Sequence, residues 1–327
     1  MDFMNTFKVR MQLFKNVILL IFLISYGVSN AQELKENELF KNKSYTLPYI
    51  LNRPNKTWKL PKKLNEISGL SYIDKYRLAC IQDEKGNIYI FNLLTGDVER
   101  KIDFGDDGDY EAIEIVKNDA WVLKSNGTLY KVNNYLNENE DDVEKYPTIL
   151  TKKNDAEGLC YYPPSKQLLI ACKGHPFVDD KSGKNQKAIY QYDIKTNLLD
   201  LDPFLVIRLD FIKDLKNYNT ITKWGVELLA YLDDAKGDLT FQPSAIAIHP
   251  VTGDIYILAS VGNLLMIYSS EKELQCIVQL EAKIHPQPEG ICFSPDGTLY
   301  ISNEGKETSG RISVFTMRNQ PLTNDEQ

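Results

Sequence analysis

Histidine is scarce in this sequence, with 3 residues in 327, and the 5 cysteines form no CxxC pair. No Cys and His residues have the spacing that zinc ligands require. The GxSxG motif of a serine nucleophile is also missing. The net charge is −7 at pH 7, and an acidic balance argues against binding to the phosphates of nucleic acids. We therefore expect neither a zinc site nor a nucleic-acid partner.

Long apolar runs are missing as well, except for one at the N-terminus. Three basic residues precede that run: Lys8, Arg10 and Lys15. The run itself covers residues 17–24, and the small residues Ser29 and Ala31 follow it. This order predicts a signal peptide over residues 1–31 and an exported protein of the periplasm or cell surface. The alternative is an uncleaved membrane anchor, and no transmembrane span is expected in the mature chain.

The cysteines all lie in apolar, strand-like stretches: Cys80, Cys160, Cys172, Cys276 and Cys292. Cysteine behaves as a small hydrophobic residue in protein cores, so we interpret them as packing residues. Their odd number leaves at least one thiol unpaired. A bridge between Cys160 and Cys172 across a hairpin is the pairing that the sequence leaves open.

A short motif recurs five times, and each copy leads into short alternating strands divided by turn residues. The central residues of the copies are Ser68, Glu111, Glu157, Ser244 and Glu289, at intervals of 43, 46, 87 and 45 residues. Repeats of about 40–45 residues with four antiparallel strands are typical of propeller blades. We therefore predict an all-β fold, a β-propeller of four-stranded antiparallel blades.

The last repeat contains three strands, and residues 56–61 can supply the fourth and close the ring. The interval of 87 residues could hold a sixth blade, but residues 211–241 alternate poorly and are interpreted as a partly helical insertion. Five blades are therefore favoured over six. Residues 32–55 are predicted to be an N-terminal extension, residues 56–318 the propeller, and residues 319–327 a disordered tail.

Oxygen-bearing side chains occupy the central motif position and the position two residues before it. The pairs are Glu66–Ser68, Asp109–Glu111, Asp155–Glu157, Gln242–Ser244 and Gln287–Glu289. Each pair stands where a repeat enters its innermost strand, so the five pairs should surround one end of the channel. Crowded carboxylates repel one another, and a bound cation relieves that repulsion.

An all-oxygen donor set suits Ca²⁺ or Mg²⁺ and not zinc or copper. The predicted metal ligands are Glu111, Glu157, Glu289, Asp109 and Asp155. The acidic loop at residues 103–107 could add further ligands. The alternative is that the polar pairs bond the backbone of neighbouring blades and hold channel waters.

Polar strand ends are the last feature: Asp83-Glu84, Lys173-Gly174-His175 and Asn303-Glu304-Gly305. We expect them on one face of the propeller, as a rim for a small molecule or an envelope protein. His175 is a candidate general base at that rim.

Several segments together carry a resemblance: EISGLSY, DYEAIEIV, DAEGLCY, QPSAIAIHP and QPEGICFSPDGTLYISNEG. They resemble the SdiA-regulated (YjiK-type) family of exported β-propellers over about residues 60–317. The resemblance implies a calcium-linked propeller of the cell envelope and places the family's motif acids on Glu111, Glu157 and Glu289. Ser68 and Ser244 depart from that pattern and interrupt the acidic ring.

Two functions follow from these observations. The first is a binding or scaffold module with Ca²⁺ at the channel mouth. The second is a metal-dependent hydrolase of phosphate esters or lactones, similar to phytase-like or gluconolactonase-like propellers.

Overall fold

Five antiparallel sheets follow one another in this computed structural model, which describes residues 38–40, 45–137, 142–179, 183, 185–209, 241–305 and 308–318. The innermost strand of each sheet contacts the innermost strands of both neighbouring sheets. Five sheets arranged in this way form a five-bladed β-propeller. The predicted all-β class and the preference for five blades over six are therefore confirmed.

Two strands and a 3-10 turn precede the first blade: β1 (Glu38–Phe40), β2 (Lys56–Lys59) and the turn Lys62–Leu64. Blade 1 consists of β3 (Ile67–Asp74), β4 (Arg77–Gln82), β5 (Asn87–Asn92) and β6 (Asp97–Asp103). Blade 2 consists of β7 (Tyr110–Val116), β8 (Asp119–Lys124), β9 (Leu129–Val132) and β10 (Val143–Tyr146). These strands are hydrogen bonded in chain order within each blade.

Blade 3 consists of β11 (Ala156–Tyr162), β12 (Gln167–Cys172), β13 (Gln186–Asp193), β14 (Leu198–Leu199) and β15 (Leu205–Arg208). Its two outer strands, β14 and β15, both pair with β13. Blade 4 contains β16 (Gln242–Ile248), β17 (Ile255–Val261), β18 (Leu264–Tyr268) and β19 (Leu274–Gln279). Blade 5 contains β20 (Pro288–Phe293), β21 (Leu299–Asn303) and β22 (Arg311–Phe315).

Blade 5 obtains its fourth strand from the N-terminal part of the chain. β2 pairs antiparallel with β22, with Lys56 opposite Val314 and Lys59 opposite Arg311. This pairing covers the outer edge of β22 and closes the ring, as the sequence predicts. β1 pairs in the same way with β19 and adds a fifth strand to blade 4.

Each interface between neighbouring blades encloses its own hydrophobic cluster. In β17, for example, Ile255 and Ile257 pack towards blade 3, whereas Tyr256 and Leu258 pack towards blade 5. Successive side chains of a strand point to opposite faces, and here both faces are covered. This is why the inner strands read as nearly continuous apolar runs.

All five cysteines are buried and unbonded, which confirms their interpretation as packing residues. Cys160 lies opposite Leu169, and Cys172 lies opposite Ala156 on the paired strands. The two thiols are out of register with each other, so the bridge that the sequence left open is not formed. Burial raises the pKa of both thiols and keeps them protonated.

Residues 45–51, which belong to the predicted N-terminal extension 32–55, pack between blades 4 and 5. The Tyr49 hydroxyl lies 2.7 Å from Nε2 of His249. His285 Nε2 donates to the Leu51 carbonyl oxygen over 2.9 Å. Burial lowers the pKa of both histidines to about 4. Both imidazoles are thus neutral side chains that hold the N-terminal segment on the propeller.

Three predicted segments lie outside the described residues: the signal peptide 1–31, nearly all of the insertion 211–241, and the tail 319–327. The described residues that flank the insertion, Leu209 and Phe241, are buried between blades 3 and 4. Within the described ranges, no helix has the length and apolar character that crossing a membrane requires.

Candidate functional site: the channel mouth

The central motif residue of every blade occupies a β-bulge near the start of the innermost strand. The register between the first two strands shifts at Ser68, Glu111, Glu157, Ser244 and Glu289. A bulge leaves one residue unpaired and redirects its side chain. The same irregularity therefore places five oxygen-bearing side chains around one end of the axis. We call this end the channel mouth.

The two serines at the mouth connect neighbouring blades. Ser68 donates from Oγ to the carbonyl oxygen of Tyr110 over 2.8 Å, and Ser244 donates to that of Pro288 over 3.0 Å. Each acceptor belongs to the residue before the central motif residue of the next blade. The sequence left two roles open for the polar pairs, metal binding or hydrogen bonding to neighbouring blades. The two serines have the second role.

Glu157 is buried at the mouth and forms an ion pair with a lysine. Its side chain is 8% exposed, and its Oε1 lies 2.7 Å from Nζ of Lys173. Burial raises the pKa of Glu157 to about 7, although Lys173 acts against this shift. Burial lowers the pKa of Lys173, but attraction to Glu157, Asp155 and Glu289 outweighs it and leaves the pKa raised. Lys173 is therefore a fully charged ammonium among the mouth carboxylates.

Glu111 shares its part of the mouth with Asp109. Burial, together with repulsion from Glu157 and Asp109, raises the pKa of Glu111 to about 10. Asp109 in turn accepts a hydrogen bond from Oγ of Ser125. Glu111 therefore holds a proton at neutral pH, because like charges in a buried site cannot all ionise.

Glu289 accepts a hydrogen bond of 2.9 Å from Nε2 of Gln287, and the same nitrogen donates to Glu304. Burial raises the pKa of Glu289 to about 7, and repulsion from Glu157 contributes to the shift. The remaining polar atom of Gln287, Oε1, is buried and has no hydrogen-bond partner in the described part of the chain. A buried acceptor without a donor calls for a partner such as a cation or a water.

The polar strand ends lie at this same end of the propeller, because each follows the second strand of its blade. Lys173 N donates to the Asp155 carbonyl oxygen over 2.8 Å, beside the start of β11. At blade 1, burial and repulsion from Glu66 raise the pKa of Asp83 to about 6. Glu304 is close enough to contribute to that shift. The rim is thus acidic at blades 5 and 1 and basic at blade 3.

A narrow cavity lies on the axis at the mouth. Its polar lining comes from Ser68, Glu111, Ser244 and Glu289. Further along the strands it is lined by five aliphatic residues, one from each cluster between blades: Leu70, Ile113, Leu159, Ile246 and Ile291. The free space is about that of a single water molecule. The cavity therefore fits one ion or one water, and it is too small for an organic substrate.

Glu114 is a partly buried acid that the sequence reasoning missed. Its carboxylate accepts from Oγ of Ser71 over 3.1 Å and from the backbone N–H of Tyr161 over 3.0 Å. These partners belong to blades 1 and 3, so Glu114 connects three blades. Burial raises its pKa to about 7. The signal was available in the sequence, since Ser71 and Glu114 both stand three residues after a central motif residue.

The five predicted metal ligands lie together at the mouth, as their mutual effects on pKa show. Their oxygens are not gathered around one point, however. Across the residues that the structure describes, no group of three or more His, Cys, Asp or Glu side chains has the arrangement of a metal site. The ion pair with Lys173 gives a physical reason, because it directs the Glu157 carboxylate to the ammonium.

Two other sequence candidates do not join this cluster. In the acidic loop, Asp103 and Asp107 form exposed ion pairs with Lys101 and Lys85. They do not extend the set of candidate ligands. His175 lies on the rim beside Lys173, and its Nδ1 is 3.0 Å from the carbonyl oxygen two residues further along the loop.

Comparison with protein families gives one match, to the SdiA-regulated family over residues 54–306. This range contains most of the five blades and every residue of the channel mouth. Among curated proteins, none matches the chain in sequence.

Solved structures share the fold at low sequence identity. Glutaminyl cyclase from Myxococcus xanthus has a TM-score of 0.52 and 9% identity, over 82% of this chain and 97% of that chain. A streptogramin B lyase has a TM-score of 0.45 and 11% identity, over 80% and 97% of the two chains. Virginiamycin B lyase from Staphylococcus aureus has a TM-score of 0.41 and 11% identity, over 81% and 74%. These likenesses concern the propeller fold and carry no activity over to this chain.

Proposed function

The chain belongs to the SdiA-regulated family, and on that premise we propose that it is an exported cell-envelope propeller with one divalent cation, Ca²⁺, at the channel mouth. In this proposal the protein is a binding or scaffold module. Its rim presents the cation to a small molecule or an envelope protein. Export is supported by the signal-peptide pattern of residues 1–31.

One observation carries the proposal: three glutamates, Glu111, Glu157 and Glu289, stand on equivalent bulges at the channel mouth. Two of them, Glu111 and Glu289, line an axial cavity with room for one ion. Burial raises the pKa of all three, and repulsion from neighbouring carboxylates adds to the shift. Ionised carboxylates in such a place are costly unless a cation compensates them. Lys173 supplies one positive charge, and the metal-free ring also holds the proton of Glu111 at neutral pH. A divalent cation would take the place of such protons.

The donor chemistry fits Ca²⁺ better than other metals. Ca²⁺ takes about 6–8 oxygen ligands in flexible geometry, whereas Mg²⁺ demands a near-ideal octahedron. The glutamates, Asp109, Asp155 and the free Oε1 of Gln287 offer oxygens only. Binding would require the Glu157 carboxylate to turn from Lys173 towards the axis.

A hydrolase acting on phosphate esters or lactones is the alternative, and the geometry supports it less. The axial cavity leaves no room for an organic substrate beside an ion. Such a substrate would have to lie on the rim. Turnover of generic phosphate esters and lactones in the presence of Ca²⁺ would support this alternative.

The proposal is tested by measuring the metal content and the thermal unfolding of the purified protein. We expect about one bound Ca²⁺ per chain and a higher melting temperature in Ca²⁺ than in EDTA. Binding to the native state alone contributes about 2.7 kcal/mol at a hundredfold excess over Kd. Glu157→Gln should lose both effects, whereas the matched variant Ser68→Ala should keep them. An equal melting temperature in EDTA and Ca²⁺ would contradict the proposal.

A further inference from the structure

A cation that enters the channel mouth would meet the ammonium of Lys173 beside the carboxylate of Glu157. Nζ of Lys173 lies 2.7 Å from Glu157, and the pKa of Lys173 reflects attraction to Asp155 and Glu289 as well. We propose that Lys173 is a built-in counter-ion that restricts the channel mouth to divalent cations. This inference rests on the proposed function and concerns the selectivity of the same site.

The backbone holds Lys173 firmly in this position. Its N–H donates to the Asp155 carbonyl oxygen over 2.8 Å, and the N–H of Gly174 donates to that of Asn154 over 2.9 Å. A Cβ at Gly174 would lie 2.4 Å from the carbonyl oxygen of Lys153, so only glycine fits there. The ammonium of Lys187 adds hydrogen bonds to the carbonyl oxygens of Lys173 and Gly174. Only the side chain of Lys173 is left to move.

The position of Lys173 also singles it out among the blades. The residues that directly follow the second strands are Asp83, Ser125, Lys173, Gly262 and Glu304. Lys173 is the one basic residue in this set, and it belongs to the blade whose motif glutamate is the most deeply buried. Among these five positions, a positive charge therefore occurs only at Lys173, where it pairs with Glu157.

The charge of a cation decides whether it can displace Lys173 from Glu157. A monovalent ion that displaces Lys173 replaces one positive charge by another, and it must also give up its hydration. The tethered ammonium has a high effective concentration, so the monovalent ion loses this competition. A divalent ion brings one charge more than the ammonium that it displaces, and the three glutamates can compensate that charge. The site then discriminates between monovalent and divalent cations through the competing ammonium of Lys173 as well as through its oxygen ligands.

The test is calorimetric titration of the whole mature protein with CaCl₂, in either NaCl or choline chloride at equal ionic strength. The variants are Lys173→Met, Lys173→Arg and Lys152→Met. Lys152 is an exposed lysine on the loop before β11, so its loss changes the net charge equally without touching the mouth. Thermal unfolding of each variant checks that it is folded.

For the wild type we expect Ca²⁺ affinity that does not depend on the choice between Na⁺ and choline. Lys173→Met should bind Ca²⁺ about tenfold more tightly in choline, and Na⁺ should now weaken that binding several-fold. Lys173→Arg and Lys152→Met should behave like the wild type. If the wild type binds Ca²⁺ and Lys173→Met binds it no more tightly, the inference is wrong while the proposed function stands. If no variant binds Ca²⁺, the proposed function fails, and this inference fails with it.

Discussion

Blades 1 and 4 carry a serine at the position where blades 2, 3 and 5 carry a glutamate. All five residues occupy the same bulge in the same strand, yet they do different things. Ser68 and Ser244 bond the next blade and are buried by it. The glutamates have longer side chains and make other contacts. Glu111 and Glu289 line the axial cavity beside the two serines, and Glu157 forms an ion pair with Lys173.

The difference shows that a repeated backbone feature does not impose one role on its side chain. A hydroxyl on a short side chain reaches the adjacent carbonyl group and adds to the frame between blades. A carboxylate at the same position is buried beside other carboxylates, and burial together with repulsion raises its pKa. The serine blades therefore contribute bonds between blades, and the glutamate blades contribute a cluster of carboxyl groups whose ionisation depends on pH. This cluster is the site that we propose for the cation.

The largest expected effect is a loss of stability of the metal-free protein as the pH rises. The pKa of Glu111 is raised to about 10, so the carboxyl is more easily ionised in the unfolded chain than in the folded protein. Its stabilising contribution is complete below the ordinary carboxyl pKa and is lost as the pH rises through about 10. The unfolding free energy in EDTA should fall by a few kcal/mol between pH 7 and pH 10. Chemical denaturation at several pH values measures this.

Glu111→Gln is the control for that experiment, because it removes this titrating group and should lower the slope. The buried thiols, whose pKa burial also raises, ionise in the unfolded chain above about pH 8.5 and contribute a slope that both proteins share. Restriction to pH values above 7 also avoids His249 and His285, whose pKa values are lowered to about 4. Their contribution has the opposite sign, since it is complete above the ordinary pKa of about 6.5 and is lost as the pH falls towards 4. A slope that persists unchanged in Glu111→Gln would contradict the assignment.

The next effect in size concerns cation affinity. Removal of groups that only orient a metal ligand costs about 10–100-fold in affinity, so loss of a ligand should cost at least roughly a hundredfold. Glu157→Gln should reach this value, whereas Ser244→Ala should change the Ca²⁺ affinity hardly at all. Titration calorimetry measures both. Equal losses in the two variants would show that the two kinds of blade do not differ as proposed.

The fold was predictable because its signals are local and repeated. The blades can be identified from strand alternation, from turn residues such as Asn126-Gly127 and from the five motif copies. Because the last repeat contains only three strands, the sequence also indicates that a segment from the N-terminal part of the chain supplies the fourth. The segment around Tyr49 was not predictable in this way. It packs between blades 4 and 5 through partners about 200 residues away in the chain, such as His249.

The candidate site was predictable in its residue types but not in its pairings. The central position of the five motif copies identifies Glu111, Glu157 and Glu289, and strand geometry places them at one end of the propeller axis. Whether an oxygen faces the axis or the next blade depends on bulge geometry, which the sequence pattern does not contain. The pairing of Lys173 with Glu157 was missed for a related reason. It joins the ends of two strands that run in opposite directions within blade 3.

The smallest expected effect is on the stability contributed by the serines. Ser68→Ala removes the donor to the Tyr110 carbonyl group and should lower the unfolding free energy by about 1 kcal/mol. The change should be the same in EDTA and in Ca²⁺, because the hydroxyl bonds a blade and not the cation. Thermal or chemical unfolding in both conditions measures it. A loss that appears only in Ca²⁺ would mean that the serine belongs to the cation site.

The most direct test of the central claim is a crystal structure of the mature protein grown with Ca²⁺, with anomalous differences recorded. We predict one peak on the propeller axis, with oxygens of Glu111, Glu157 and Glu289 at about 2.3–2.6 Å. Lys173 should then have moved away from Glu157. An axis without a peak, with Lys173 still paired to Glu157 at saturating Ca²⁺, would contradict the claim that the glutamate blades form a cation site.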